Sequence, residues 1–124
     1  MIANGYKDLR VYQLAFKAAG EIFEYSKKFP KEEKYSLTDQ IRKSSRSVCV
    51  NVGEGYRKRI YPKHFTSKMT DADGECTETM IWLDFAYSCG YMESTVHASL
   101  FNMYTEIGRM PGAMTNNADR FGPK

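Results

Sequence analysis

The feature that most limits the fold of this chain is the spacing of its apolar residues, which recur every three or four positions in four separate segments. This spacing matches the 3.6-residue turn of an α-helix, whereas the strict alternation typical of strands does not occur. In the first segment two apolar stripes run side by side, one from Leu9 to Phe23 and one from Val11 to Tyr25. The pattern predicts helices over about residues 8–28, 37–58, 62–89 and 94–110.

Proline and glycine residues mark the ends of these helices. Pro30 disfavours a helical conformation in the residue before it, and Pro62 suits the first turn of the third helix. Gly90 is typical of a helix C-terminus, and Pro111 with Gly112 is expected to end the last helix. Short connections between amphipathic helices are typical of antiparallel neighbours.

We therefore predict an all-α fold, an antiparallel up-and-down four-helix bundle. The bundle is expected to occupy residues 1–112, and residues 113–124 are expected to form a flexible C-terminal tail, because they are polar and contain glycine and asparagine. Ser36 is expected to cap the second helix, with Asp39 as its capping-box partner.

Composition excludes several classes of protein. No apolar run is long enough to cross a membrane, and the first residues lack the apolar segment of a signal peptide. The three cysteines form no CxxC pair, which argues against a disulfide framework, and each is expected to be a small buried thiol. We expect a cytoplasmic protein with no membrane partner.

No group of residues in the sequence predicts catalysis. His64 and His97 have no metal-ligand spacing around them, and no phosphate-binding loop is present. Glu75 and Glu78 lie one helical turn apart, but the Glu-x-x-His pairs of di-iron bundles do not occur, so an acidic surface is the simpler interpretation. We predict no enzyme activity, no catalytic residue, no metal site and no cofactor.

Charge is divided unevenly along the chain. Residues 42–68 contain eight lysines and arginines and one acid, whereas residues 69–108 contain seven acids and neither lysine nor arginine. An ordinary solvated surface is one explanation of the basic segment. The other is binding to nucleic-acid phosphates, for which the candidates are Arg42, Arg46, Arg57, Lys58 and Arg59. A competing possibility is that Arg42 and Arg46 pair with the glutamates of the third helix, within or between subunits.

Two further features concern packing. The segment 80–87 is apolar nearly all round, so Trp82 and Phe85 are predicted to lie in a subunit interface; a central helix covered by the tail is the alternative. Asn51 is predicted to be partly buried and hydrogen-bonded near Glu54, unless Glu54 pairs with Lys58 at the surface.

Glycines in the second helix predict a close helix–helix approach. Gly53 and Gly55 lie inside the predicted helix, where each glycine costs about 1 kcal/mol relative to alanine. Ser45, Cys49 and Gly53 are spaced by four residues and form a stripe of small side chains. We expect another helix to approach closely along this stripe.

Four motifs give the sequence a family resemblance, namely Asp8-Leu9-Arg10-Val11-Tyr12-Gln13, Phe29-Pro30-Lys31-Glu32-Glu33, Leu37-Thr38-Asp39-Gln40-Ile41-Arg42 and Asn51-Val52-Gly53-Glu54-Gly55. In order and spacing they resemble the bacterial four-helix-bundle family of 23S rRNA intervening-sequence proteins, which is similar to the accessory protein of diversity-generating retroelements. The resemblance implies a four-helix protomer that assembles as a homopentameric ring and has no established enzymatic activity. In the retroelement relative a basic surface of the ring binds nucleic acid and the reverse transcriptase, so the resemblance makes these two the expected partners here.

The second helix departs from the family pattern. Cys49 stands where the family has proline, so a proline kink is not expected here. Residues and resemblance together predict a non-enzymatic, self-assembling bundle that binds structured RNA or other nucleic acid by contacts to phosphates and shape. The alternative is a protein-interaction scaffold without nucleic-acid binding, in which the two charge poles serve only to dock subunits.

Overall fold

The computed structural model of the chain describes residues 5–116, without the side chains at 112, 113, 115 and 116. Within this range the chain forms α-helices and 3-10 turns and no strand, which confirms the all-α prediction. The turns span Tyr6–Asp8 and Lys31–Glu33. The helices are α1 (Arg10–Ser26), α2 (Leu37–Arg57), α3 (Pro62–Ser88) and α4 (Ser94–Asn116).

The helices pack as a four-helix bundle. Each helix contacts the next one along the chain, and α4 closes the bundle by packing against α1. The bounds of α2 and α3 agree with the predicted ones to within a residue, and Pro62 and Gly90 mark the two ends of α3 locally. Gly90 has a φ of +78° and ends α3 in the left-handed conformation that favours glycine.

Helix α1 buries only one of its two apolar stripes. Val11, Ala15, Ala18 and Ile22 are buried in the core, whereas Phe16 is 63% exposed. A helix in a bundle has one inward face, so a second apolar stripe must lie at the surface or against another molecule.

The N-terminus of α2 is capped differently from the prediction. Ser36 makes no side-chain capping bond, and Asp39 pairs instead with Lys43 at 3.3 Å. The carboxylate of Glu33 accepts hydrogen bonds from the Ser36 hydroxyl at 2.6 Å and from the Leu37 backbone N–H at 3.4 Å. The capping-box prediction was therefore wrong, because a carboxylate from the preceding turn takes the place of the Ser36 hydroxyl.

Helix α4 continues past the proline that was expected to end it. Pro111 lies inside the helix, which ends at Asn116, so the predicted end at 110 was wrong and the predicted tail begins as helix. Ile107, Pro111 and Met114 are all buried and share one face. Their packing offsets the hydrogen bond that proline cannot donate. The rest of the predicted tail, 117–124, lies outside the described residues.

Helices α2 and α3 approach closely at Gly55. A Cβ atom on Gly55 would lie 2.5 Å from the Cε of Met69 and 3.0 Å from the Cβ of Lys68. Further along, the buried hydroxyls of Thr79 and Ser44 form a hydrogen bond of 2.8 Å. The predicted need for a missing side chain is confirmed at Gly55, whereas a Cβ on Gly53 would make only an ordinary contact with Tyr6 at 3.5 Å.

Candidate nucleic-acid interface

The antiparallel topology collects cations at one end of the bundle. Tyr6, before α1, lies against Gly53 near the C-terminus of α2, and the Arg10 guanidinium forms an ion pair of 2.9 Å with Glu106 in the second half of α4. The N-termini of α1 and α3 and the C-termini of α2 and α4 therefore meet at this end, which we call the basic end. It carries Lys7, Arg57, Lys58, Arg59, Lys63 and Arg109.

The loop after α2 presents the predicted cations Arg57, Lys58 and Arg59. Arg57 and Lys58 are exposed, and neither forms an ion pair with any residue in 5–116. Arg59 is held in place: its guanidinium donates to the Tyr56 carbonyl at 3.1 Å and lies 4.3 Å from the centre of the Tyr56 ring. The end of α2 and the loop after it thus combine two exposed cations, Arg57 and Lys58, with the oriented cation of Arg59, a combination that can follow a phosphate backbone.

Arg42 and Arg46 lie elsewhere, on the outer face between α1 and α2. Both guanidinium groups lie over the ring of Phe23, at 4.8 and 5.5 Å from its centre. Arg42 also donates to the Ser26 hydroxyl at 2.8 Å. Within the described chain neither arginine pairs with Glu75 or Glu78, so the structure separates them from the loop cations.

Asn51 and Glu54 make different contacts. The Asn51 side chain is half-buried and donates to the Ser47 carbonyl at 3.0 Å, one turn earlier in α2. Glu54 is exposed and pairs with Lys68 of α3 at 3.3 Å rather than with Lys58. Asn51 thus has a role within α2, whereas Glu54 links α2 to α3 beside the basic end.

A groove of about 350 Å³ opens between α1 and α2 next to the loop cations. Its walls include the rings of Tyr6 and Tyr12, which meet edge to face with centres 5.0 Å apart. Cys49 lies in the lining, and burial raises the pKa of its thiol to about 11, so the thiol is neutral at physiological pH. Glu54 and Arg57 lie at the end nearest the loop. The sequence marked the small residues Cys49 and Gly53 that line this groove, but not its walls, because Tyr6 and Tyr12 are distant from them in sequence.

Two cations of the basic end were also missed from sequence. Lys7 precedes α1 and Arg109 lies near the end of α4, and both are exposed. Neither belongs to the basic segment 42–68. The short connections that predict antiparallel helices were the signal that could have placed them beside the loop after α2.

The apolar part of α3 lies at the surface on the opposite half of the bundle. Phe85 is 53% exposed and Ile81 is 48% exposed, while Trp82 is half-buried and packs against Phe85 with ring centres 5.7 Å apart. The Trp82 indole N–H donates to the Glu78 carboxylate at 3.2 Å. Ile81, Trp82 and Phe85 form what we call the α3 patch, and Glu78 and Glu75 border it.

The glutamates beside the α3 patch repel each other. Partial burial, and then the charges of Glu78 and Asp71, raise the pKa of Glu75 above its ordinary value. A cation brought close to Glu75 would relieve this unfavourable environment.

The cysteines and the metal-ligating side chains in the described part of the chain form no further candidate site. Cys49 and Cys76 are buried as predicted, but Cys89 is exposed, because it lies at the C-cap of α3 beyond the packed core. Among the described residues no cluster of three or more metal-ligating side chains occurs. Over the same range no helix is long and apolar enough to span a membrane.

Comparison with known proteins identifies relatives by sequence and by fold. The family model described as 23S rRNA-intervening sequence protein matches residues 7–113. A solved structure from Bacteroides thetaiotaomicron, described as a protein of unknown function from the S23 ribosomal protein family, superposes with a TM-score of 0.77. It is 24% identical and covers 86% of this chain and 95% of its own, which shows a shared fold. No curated protein matches the sequence.

Proposed function

The chain belongs to the 23S rRNA-intervening sequence protein family, and on that premise we propose that it is a non-enzymatic, self-assembling bundle that binds structured RNA through its basic end. The observation that carries the proposal is the loop after α2, where Arg57 and Lys58 are exposed without acidic partners in the described chain. Arg59 is oriented beside them by Tyr56. Unpaired cations at the end of a rigid bundle suit contact with phosphates.

Assembly is the second part of the proposal. The α3 patch is apolar and bordered by acids, whereas the outer face of α1 and α2 carries Arg42 and Arg46 over the ring of Phe23, with Phe16 exposed two turns earlier in α1. The two surfaces lie on different faces of one chain and are complementary in charge and polarity. A head-to-tail contact between them, repeated around an axis, closes a ring. In this arrangement Arg42 and Arg46 dock against a neighbouring subunit, and the loop cations remain available for RNA.

A ring also strengthens binding. Each copy contributes one set of loop cations, and several sets on one particle bind a single RNA with higher avidity than one set alone. That the ring has five subunits is an expectation that comes from the family resemblance.

The test of RNA binding is a matched pair of charge reversals. Fluorescence anisotropy with a labelled RNA hairpin should show binding that weakens steeply between low and moderate salt, because neutralised phosphates release counterions. Changing Arg57, Lys58 and Arg59 to glutamate should abolish this binding. Changing Lys28, Lys31 and Lys34 to glutamate makes the same change in charge at the opposite end and should leave most of the binding intact.

Two results would count against the proposal. If the unaltered protein binds neither RNA nor duplex DNA at low salt, the interaction scaffold is the better account. If both triple variants lose binding equally, the basic end has no special role. For assembly, light scattering should give a mass of several times the 14.3 kDa of one chain, and Phe85→Asp should lower it.

A further inference from the structure

The groove between α1 and α2 combines three features that a nucleic-acid base requires. It has aromatic walls from Tyr6 and Tyr12, it is open to solvent, and it lies beside the loop cations. Its volume of about 350 Å³ falls at the lower end of the range typical of small-ligand sites. We propose that it holds one unpaired base of the RNA whose phosphates bind the basic end, an inference that rests on the proposed function.

The walls of the groove favour a flat aromatic ligand. The two tyrosines meet in an edge-to-face arrangement, which favours one orientation of each ring in the absence of ligand. Partial burial, followed by the proximity of Cys49 and Tyr6, raises the pKa of Tyr12. A neutral phenol and a neutral thiol are compatible with a base, which stacks on aromatic side chains irrespective of its identity.

Gly53 keeps the groove open. The nearest atom to a Cβ at this position would be Cδ2 of Tyr6 at 3.5 Å, so the backbone of α2 is covered on this side only by the edge of that ring. Unlike Gly55, Gly53 is not required by contact with another helix. A side chain larger than alanine at Gly53 would project into the groove and occupy the space of a base.

The rim of the groove carries one cation and one carboxylate, and each suits a different part of a nucleotide. The exposed guanidinium of Arg57 is placed to bind the phosphate that accompanies the base. Glu54 holds Lys68 through its Oε1 atom, and among the described residues its Oε2 atom accepts no hydrogen bond. That free oxygen can accept a hydrogen bond from the exocyclic amino group of adenine, cytosine or guanine, a group that uracil lacks. We therefore expect the groove to prefer amino-bearing bases over uracil.

The experiment uses 2-aminopurine, a fluorescent adenine analogue that retains an amino group and whose emission changes on stacking. It is placed either in the loop or in the stem of an RNA hairpin, and each RNA is titrated with the intact protein. We expect emission to change with the loop-labelled RNA alone. Gly53→Leu should remove that change and weaken hairpin binding about tenfold, within the range seen when one stacked base is lost. Asn102→Leu, which adds the same side chain on the exposed face of α4, is the matched control and should have no effect.

Two further measurements keep the test decisive. Tyr6→Ala removes one wall without filling the groove and should also reduce the emission change. Agreement between the two variants would show that the effect of Gly53→Leu does not come from a folding defect. Oligocytidine should bind more tightly than oligouridine of the same length, and Glu54→Gln should reduce that preference.

The outcomes separate this inference from the proposed function. If the hairpin binds and the triple variant of Arg57, Lys58 and Arg59 abolishes binding, yet neither emission nor affinity responds at Gly53, the base site is overturned and the phosphate site stands. If Gly53→Leu instead lowers the mass of the assembly, the groove belongs to a subunit contact and the inference fails. If the unaltered protein binds no RNA, both proposals fail together.

Discussion

The two sides of α2 are built differently, and the difference separates packing from function. Toward α3, the helix packs closely: a Cβ at Gly55 would collide with Met69 and crowd Lys68, and the Ser44 and Thr79 hydroxyls pair in the core. Toward α1, the outer surface stays open, with the groove beside Gly53 at one end and Phe23 under two arginines at the other. The side of α2 that faces α3, which we call the closed side, stabilises the bundle. The side toward α1, which we call the open side, leaves cations and aromatic rings available to partners.

The largest expected effect tests the closed side. Gly55→Ala should lower the free energy of unfolding by about 2 kcal/mol, because overpacking a buried contact costs about 1–3 kcal/mol. The gain in helix propensity offsets only part of this loss. Urea denaturation at one fixed protein concentration measures the change, since assembly makes stability depend on concentration. Equal stability of the variant would mean that α2 and α3 are less tightly packed than described.

The next effect concerns the buried hydroxyl pair. Thr79→Val should cost about 1 kcal/mol, because Ser44 loses a hydrogen-bond donor in a place that water cannot reach. Adding Ser44→Ala to Thr79→Val should cost less than the two single changes together, since the pair is then removed as a unit. Strict additivity in this double-mutant cycle would show that the two hydroxyls do not interact.

A smaller effect of opposite sign is expected on the open side. Gly53→Ala should raise the free energy of unfolding by about 0.5 kcal/mol, because alanine favours the helix and its Cβ meets only Tyr6 at an ordinary distance. The same denaturation experiment compares it directly with Gly55→Ala. If both substitutions destabilise the protein equally, the contrast between the two sides of α2 is wrong.

The smallest effect concerns the connection between α1 and α2. Hydrogen bonds from the Ser36 hydroxyl and then from the Tyr91 hydroxyl lower the pKa of Glu33, so the ionised carboxylate stabilises the fold. That contribution is complete above the ordinary glutamate pKa of 4.5 and disappears as the pH falls through the lower pKa of the folded state. Glu33→Gln should lower the melting temperature slightly at neutral pH. The difference from the unaltered protein should shrink in acid, and a constant difference at all pH values would exclude this role.

Much of the fold could be predicted because its signals are local. Pro62 and Gly90 mark the two ends of α3 through backbone chemistry that does not depend on distant residues. Pro111 carries an equally local signal, yet the helix continues, because burial of Ile107, Pro111 and Met114 in the core outweighs it. A local rule fails where enough apolar surface is buried around the exception.

The candidate site was less predictable than the fold. The cluster Arg57-Lys58-Arg59 is contiguous, so the sequence alone placed it at the end of a helix. Arg42 and Arg46 share the same charge and the same helix, but their contacts with Phe23 depend on how α1 lies against α2. Periodicity places a residue on a face of its own helix and says nothing about the neighbouring helix at that point.

By itself the sequence determined the four helices, their antiparallel order, the uneven division of charge and the basic loop after α2. Only the tertiary structure decided which apolar stripe of α1 enters the core, because Phe16 and Ile22 are both large and apolar and the choice depends on the surfaces of α2 and α4. It also decided that Gly55 is required by packing whereas Gly53 borders a groove. Helix formation follows from the order of residues over a few turns, whereas burial depends on which surfaces meet when the helices pack.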